Sequence, residues 1–442
     1  MTDDESRGPD GRERPDAHRP TEDAGGPAVL TEDEVARQEI EAAAEREAEA
    51  RSIGLEASFG ERLVAMITGT NVIVTILAFV SALVIGAFII ALSEDVVRDA
   101  MGYFTARPSD TFAATWTTVS EAYTALLRGS LGGRSQISET LVSATPLILT
   151  GLAVAVPLRA ALFNIGAEGQ LIAGGVAAGF VGFALTDLPL IVHLPLALAA
   201  GIAAGAFYGW IPGILKARTG AHEVISTIML NNIGILVSGY LVSTALFRQP
   251  DRTDPISKTV EPSAMFPRFI PGLRVNTSLI MALILAVVIF WLVERSTRGF
   301  ELNAVGLNSN AATSAGMDPN RTLIGAMTVG GALSGAAGAA LILGIQGRLT
   351  LGFSAGLGFD GITVALLGRG RIGGTVAAGL LFGALKSGGR SMQAQTGTSL
   401  DLVLVIQALI IVFIAAPGLV RAIFRIKADD LATGQVAKGW GS

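Results

Sequence analysis

The chain has 442 residues, half of them apolar, and its mean hydropathy is +0.55. This composition predicts a polytopic membrane protein. The formal net charge of −5 does not indicate an acidic surface on the membrane domain, because many of the acidic residues lie near the N-terminus. The absence of cysteine and the presence of only three histidines exclude disulfides, cysteine-ligated metal or redox centres and a histidine-rich metal site. We therefore predict no metal and no cofactor.

Residues 1–60 mix Asp, Glu, Arg, Pro and Gly with few large apolar residues, so they cannot bury enough surface to fold alone. Within them, Thr31 and Glu34 have the spacing of a capping box, and residues 33–37 and 47–51 supply acid–base pairs four apart. We predict a charged, mainly disordered cytoplasmic tail with a solvated helix over 31–51. Because the first apolar run begins well inside the chain and is too long for an h-region, we expect no signal peptide.

Ten apolar runs follow whose lengths suit bilayer-spanning helices, one of them short. They lie near residues 72–92, 141–157, 169–185, 191–215, 224–247, 277–293, 322–345, 357–368, 372–385 and 400–417. The sequence thus predicts an all-α membrane domain over residues 61–427 with about ten transmembrane helices, an outer loop between the first two runs, and a cytoplasmic C-terminal tail at 428–442. Lys and Arg are denser in the loops that this count places inside, which favours cytoplasmic N- and C-termini.

The segment 157–175 carries a proline, Asn164 and Glu168 within an otherwise apolar region. An interrupted backbone at membrane depth is tolerated where it lines a cavity. The third and eighth runs also begin alike, with Glu168-Gly and Asp360-Gly opening an apolar stretch. The two runs are five segments apart, an odd offset that turns the halves in opposite directions. We predict a 5+5 inverted repeat with interrupted helices and a solute path between the halves.

Glycines recur four residues apart at Gly201, Gly205 and Gly209, and again at Gly331 and Gly335. This spacing predicts close helix packing. The glycines do not form a phosphate-binding loop, because the sequence contains no G-x-x-x-x-G-K-[ST]. We therefore predict that the chain is not an enzyme and has no ATPase site of its own.

The loop after the sixth run predicts a short helix with its own caps. Asn308, Ser309 or Asn310 can cap its start, Ala311, Ala312 and Ser314 lie within it, and Gly316 can end it. Asp318 then caps the next helix, with a proline at the first helical position. Such an element is suited to docking into a groove on a partner, although an ordinary helix–turn–helix connection would have the same sequence.

Four ordered motifs resemble a known family. They are LFNIGAEGQ at 162–170, EVISTIMLNNI at 223–233, AVGLNSNAATSAGM at 304–317 and GFDGITVALLG at 358–368. Together, over about 138–417, they resemble the permease subunit of bacterial ABC importers of the branched-chain amino acid and simple-sugar permease superfamily. The first two motifs are most similar to those of purine-nucleoside permeases that work with a basic-membrane-protein lipoprotein.

The resemblance implies a plasma-membrane importer in which two related permease chains form the path. It further implies two cytosolic ATPases, an extracellular lipoprotein that delivers the solute, and no nucleic acid. By this resemblance, the 308–316 helix corresponds to the coupling helix, the element that contacts the ATPase. Phe163, Asn164, Glu168 and Gln170 become candidates for the solute path. A simple sugar or a branched-chain amino acid is the alternative solute.

The candidate path residues leave structural alternatives open. Phe163, Asn164 and Gln170 offer the ring and amides that a neutral nucleoside needs. Glu168 and Asp360 can contact solute or cap the start of a helix. The remaining candidates, Asn231 and Asn232, can contact solute or bond between helices, and we expect both to face protein or a cavity.

Two other classes of protein are less consistent with the sequence. An ion-coupled secondary transporter would share the interrupted helices but needs no docking helix. An intramembrane enzyme needs a nucleophile–base pair or a metal site, and the sequence offers neither.

Overall fold

A computed structural model describes residues 70–250 and 252–425. The predictions for the tails at 1–60 and 428–442 lie outside the described residues. The helices, in chain order, are α1 (Thr70–Ser93), α2 (Asp95–Gly102), α3 (Pro108–Leu131), α4 (Arg134–Arg159), α5 (Ala167–Ala184), α6 (Leu190–Thr219), α7 (Glu223–Ser243), α8 (Ser278–Arg295), α9 (Thr297–Leu307), α10 (Ser309–Ser314), α11 (Pro319–Leu341), α12 (Leu357–Leu367), α13 (Ile372–Thr396), α14 (Leu400–Ala415) and α15 (Pro417–Phe424). A π-helical turn extends α11, and within the described residues the only β-structure consists of isolated bridges. The all-α prediction is confirmed.

Seven of the described helices are long and apolar enough to cross a membrane, and an eighth is added if the bent pair α14 and α15 forms one span. Two of the ten predicted spans differ in character from these. The helix α12 has only 11 residues, and the second half of α13 carries Lys386 and Arg390. The chain is therefore a polytopic membrane protein, while the count of ten spans stays a prediction.

The connection between the first two runs contains a helix, α3, that the sequence analysis does not predict. Its sequence mixes Thr, Ser, Glu and Arg with apolar residues, so its average composition hides a buried face. That face includes Ala122, Leu126 and Gly129 and packs against α13. Burial of one face, rather than overall hydropathy, holds this helix in the bundle.

The helices form a buried centre and an apolar exterior. Most residues of α4, α5 and α11 are buried, whereas α1, α6, α7 and α8 are mainly exposed. The exposed side chains on these outer helices are large and apolar, for example Phe88, Ile191, Leu236 and Val287. Such faces are stable in contact with lipid or another apolar surface.

The two central helices α4 and α11 run in opposite directions. Ala153 of α4 lies beside Gly330 of α11, while Val156 clusters with Ala326, nearer the start of α11. The helices also pack crosswise, because α4 packs against α12 and α13 whereas α11 packs against α5 and α6. Each of the two antiparallel helices thus packs against the helices that follow the other one in the chain. An inverted repeat produces this arrangement.

The predicted glycine packing lies where α6 crosses α11. A Cβ atom on Gly205 would lie 2.5 Å from the Cα atom of Gly335, and one on Gly209 would lie 2.8 Å from the Cα atom of Gly331. Gly201 makes the same type of contact one turn away, with the side chain of Ala339. The packing role predicted for these glycines is confirmed, because the two backbones approach to a distance that admits no side chain.

Candidate solute path and docking helix

The chain turns back on itself between α4 and α5. Residues 160–166 lead from the end of α4 into the middle of the bundle, where α5 begins at Ala167. There the Ser334 hydroxyl, in the interior of α11, donates to the Ala167 carbonyl. The predicted interruption of the helix is therefore present, and it places the start of α5 among buried side chains.

The helix α12 also begins in the middle of the bundle. Gly361 in its first turn lies against Thr150, near the middle of α4, and Gly358 lies directly on the backbone of Glu168. The first turns of α5 and α12 therefore meet, and we call this contact of Glu168 with Gly358 the helix junction. Two helix N-termini concentrate partial positive charge at the junction, which favours a carboxylate there.

Glu168 uses its carboxylate at the helix junction. Its side chain is 2% exposed, and Oε2 accepts the Gly358 amide hydrogen over 2.7 Å. Of the two alternatives that the sequence leaves open, the geometry matches helix capping, but the capped helix is α12 rather than Glu168's own helix. Contact of this carboxylate with solute stays a prediction.

Asn231 caps the start of α5 from the neighbouring helix α7. Its Oδ1 accepts the Gly169 amide hydrogen over 2.8 Å, and its Nδ2 donates to the Ile165 carbonyl over 2.9 Å. Asn232 instead lies exposed on the outside of α7 and donates to the Ile228 carbonyl of its own helix. The expectation that both amides face inward holds for Asn231 only, because adjacent helical residues point about 100° apart.

Asn164 and Gln170 form a reciprocal amide pair. Each side chain donates to the other over 3.0 Å, and Asn164 also donates to the Ala153 carbonyl of α4. Both residues are buried, while Phe163 beside them is half-buried. The pair ties the turn between α4 and α5 to both helices, so these amides are engaged within the chain. Their contact with solute stays a prediction.

Asp360 lies in the first turn of α12 and forms an ion pair with Lys386 of α13. The two side chains are each about a quarter exposed. The carboxylate therefore links α12 to α13 and faces partly accessible space. The described part of the chain contains no group of three or more His, Asp or Glu side chains that could hold a metal ion.

Lys386 also lines a cavity of about 440 Å³ among α4, α12, α13 and α14, which we call the Lys386 cavity. Its polar lining residues are Glu139, Ser143, Arg274, Gln346, Lys386, Arg390 and Gln407. The sequence prediction missed this cavity because the ninth predicted span stops one residue before Lys386. The signal was available, since Lys386 and Arg390 lie four apart directly after an apolar run, and cations at membrane depth mark solute pathways.

The predicted short helix is confirmed in α10. The Asn308 side chain accepts the Ala311 amide hydrogen over 3.0 Å, and Gly316 ends the turn with a φ of 83°. Asp318 caps α11 as predicted, by accepting the Arg321 amide hydrogen. Local capping chemistry thus fixes both ends of this element.

The short helix α10 presents an exposed face. Ser309, Asn310 and Ala311 are exposed, whereas Ala312 is 3% exposed and faces the bundle. Leu307, just before the helix, is 88% exposed. This face of the helix is therefore accessible to a partner.

The short helix and the Lys386 cavity lie at opposite ends of the bundle. The helix α4 runs between them, because Glu139 and Ser143 line the cavity and Arg159 at the other end contacts Gly306, just before α10.

An all-helical apolar bundle with interrupted helices that meet at its centre defines a multi-pass membrane transport protein. Residues 136–415 match the family described as branched-chain amino acid transport system / permease component, and the chain belongs to this family. The comparison with solved structures found no match.

Several curated relatives align with more than half of the chain. The guanosine ABC transporter permease protein NupP of Bacillus subtilis is 42% identical over 69% of this chain and 87% of its own length. The nucleoside ABC transporter permease protein NupB of Lactococcus lactis is 36% identical over 72% and 89%. The glucose ABC transporter permease protein TsgB13 of Haloferax volcanii is 35% identical over 66% and 80%. A second guanosine permease of Bacillus subtilis, NupQ, is 25% identical over 57% and 80%.

Proposed function

We propose that this chain is the permease subunit of an ABC importer that carries a purine nucleoside into the cytoplasm. The observation that carries the proposal is the family membership of residues 136–415, together with relatives named for guanosine and nucleoside transport. The layout of the bundle supports this proposal, since the Lys386 cavity and the short helix α10, which we call the docking helix, lie at opposite ends of the bundle. A glucose-type solute is the second candidate, favoured by the 35% identity to TsgB13.

We further propose that a cytosolic ATP-binding subunit binds the exposed face of α10 and that a substrate-binding protein delivers solute at the opposite end. This assignment puts the chain in the plasma membrane with both termini on the side of the ATPase. The support is the small, doubly capped helix with Leu307 exposed beside it. A rigid element of this kind can transmit motion because its caps resist unwinding.

We also infer that a divergent permease, rather than a second copy of this chain, lies opposite it. Bacillus subtilis has two guanosine permeases, and this chain is 42% identical to one and 25% identical to the other. A chain that resembles one member of such a pair more closely is expected to take that member's place.

The energy supply can be tested with purified protein. The chain alone should show no ATPase activity, because its sequence contains no phosphate-binding loop. Co-expression with its ATPase, binding protein and the divergent permease should give a complex that imports guanosine and hydrolyses ATP. Solute uptake by vesicles that contain only this chain would contradict the importer assignment, and an active complex with this chain as its sole permease would contradict the heterodimer.

The docking helix can be tested by placing a charge on each of its faces. Ala311→Arg on the exposed face should lower recovery of the ATPase with the complex about tenfold, since roughly 1.4 kcal/mol of lost contact changes an equilibrium by that factor. Ala312→Arg should instead reduce the amount of folded permease, because Ala312 is buried.

The matched control for the docking helix is Ala106→Arg, in the exposed turn after α2. It makes the same chemical change away from α10 and should leave ATPase recovery at the wild-type level. Equal recovery of the ATPase with Ala311→Arg and Ala106→Arg would remove α10 from the proposed interface.

A further inference from the structure

We propose that the Lys386 cavity is the site at which the permease itself recognises solute, with the Gln407 side-chain amide as a hydrogen-bond donor to the solute. This inference rests on the proposed import function and deepens it by naming a binding site and the class of ligand it accepts. Gln407 lies in α14, outside the segments that the sequence motifs single out.

The first observation is an unused hydrogen-bond donor. The Gln407 side chain is 4% exposed and lines the Lys386 cavity, yet its amide nitrogen has no hydrogen-bond partner. A buried donor without a partner destabilises a folded protein, so its presence calls for a compensating role. Polar side chains within transmembrane segments commonly mark solute pathways.

The second observation is that two of the three cations of the cavity wall are paired with carboxylates. Lys386 pairs with Asp360, the Arg390 guanidinium donates to the Ser143 hydroxyl over 2.6 Å, and Arg274 pairs with Glu139 over 3.1 Å. The charges of Lys386 and Arg274 are thus balanced by carboxylates, and Arg390 is the one cation among these three whose partner is a neutral hydroxyl. Gln407 can contact a neutral solute without displacing any protein partner.

The third observation concerns size and shape. The volume of about 440 Å³ lies within the roughly 300–1,000 Å³ of pockets that hold small molecules. Pro146, Leu357 and Val403 add apolar surface to the wall, against which a flat heterocycle can lie. A neutral solute with one flat apolar part and hydrogen-bond acceptors fits these features, and a nucleoside has this composition, whereas glucose offers no flat heterocycle.

The test replaces Gln407 by leucine in the complete complex, reconstituted with its ATPase and binding protein in proteoliposomes. We expect the concentration of guanosine for half-maximal uptake to rise about 2- to 10-fold, which is the usual effect of losing one hydrogen bond to a ligand. The melting temperature of the purified permease should stay the same or rise, because the variant removes an unsatisfied buried donor. The control Gln393→Leu, on an exposed part of α13, should change neither quantity.

Two results would overturn the proposal. One is wild-type half-saturation in Gln407→Leu. The other is a lower melting temperature together with an unchanged concentration dependence of uptake, which would make Gln407 a structural residue. The wild-type complex is assayed with guanosine and with glucose, and the variant is compared on the solute that the wild type imports. Import of glucose but not guanosine would refute the nucleoside assignment, while the ratio of variant to wild type would still decide the role of Gln407.

Discussion

Replacing Gly205 by leucine should remove almost all assembled permease from the membrane. A Cβ atom at this position would lie 2.5 Å from the Cα atom of Gly335, and it would meet the Gly331 carbonyl as well. Backbone atoms cannot rotate away as a side chain can, so α6 and α11 would have to separate. Because overpacking against movable side chains already costs about 1–3 kcal/mol, a forced separation of α6 from the central helix α11 should exceed the stability of the fold.

The amount of folded protein can be measured by gel filtration of a fluorescent fusion extracted in mild detergent. The matched control is Gly325→Leu, also on α11, where an added Cβ atom meets nothing within 4 Å. Both variants replace glycine in a helix, so a loss confined to Gly205→Leu would isolate the effect of the helix contact. Equal amounts of folded protein from the two variants would show that the α6–α11 crossing does not require glycine.

Features that depend on neighbouring residues could be predicted from the sequence. The contact at Gly205 follows from glycines four apart on one helix, and the ends of α10 follow from Asn308 and Gly316, which cap within a few residues of themselves. The caps act within two turns of the chain, and the glycine spacing marks a face for close packing without identifying its partner, so the local pattern carries enough information for both.

The roles of residues at the helix junction could not be predicted in this way. A carboxylate near the start of α5 indicates a cap, but the amide that Glu168 accepts belongs to Gly358, 190 residues away. The same holds for Asp360, whose partner Lys386 lies on another helix. The sequence indicates a capping role for Glu168 but not an ion pair for Asp360, and the packing of α12 against α5 and α13 decides both partners.

The helix α3 escaped prediction for a different reason. Its sequence mixes Thr, Ser, Glu and Arg with apolar residues, so an average over the segment looks like a polar loop. Burial of Ala122 and Gly129 against α13 supplies the contact that makes the helix stable in the bundle. The mean hydropathy of a segment predicts whether it can face lipid better than it predicts packing against protein. The helix α3 is held by packing against protein.

Replacing Glu168 by alanine should reduce guanosine import about 100-fold and lower the melting temperature of the permease. The change leaves the buried Gly358 amide without an acceptor and removes the negative charge that faces two helix N-termini. Loss of a charged partner from a buried amide costs up to about 3 kcal/mol, which corresponds to roughly two factors of ten. Uptake of labelled guanosine by the complete complex, set against the melting temperature of the purified permease, measures both effects.

Glu168→Gln separates the structural role of this side chain from a role in solute binding. The amide oxygen of glutamine can still accept the Gly358 amide hydrogen, so the melting temperature should stay close to that of the wild type. If the carboxylate acts only as the cap of α12, uptake should also stay close to the wild-type rate. A normal melting temperature with uptake as low as in Glu168→Ala would instead show that solute contacts the carboxylate, as the sequence motif suggests. Glu121→Ala, an exposed carboxylate on α3, serves as the control and should match the wild type in both measurements.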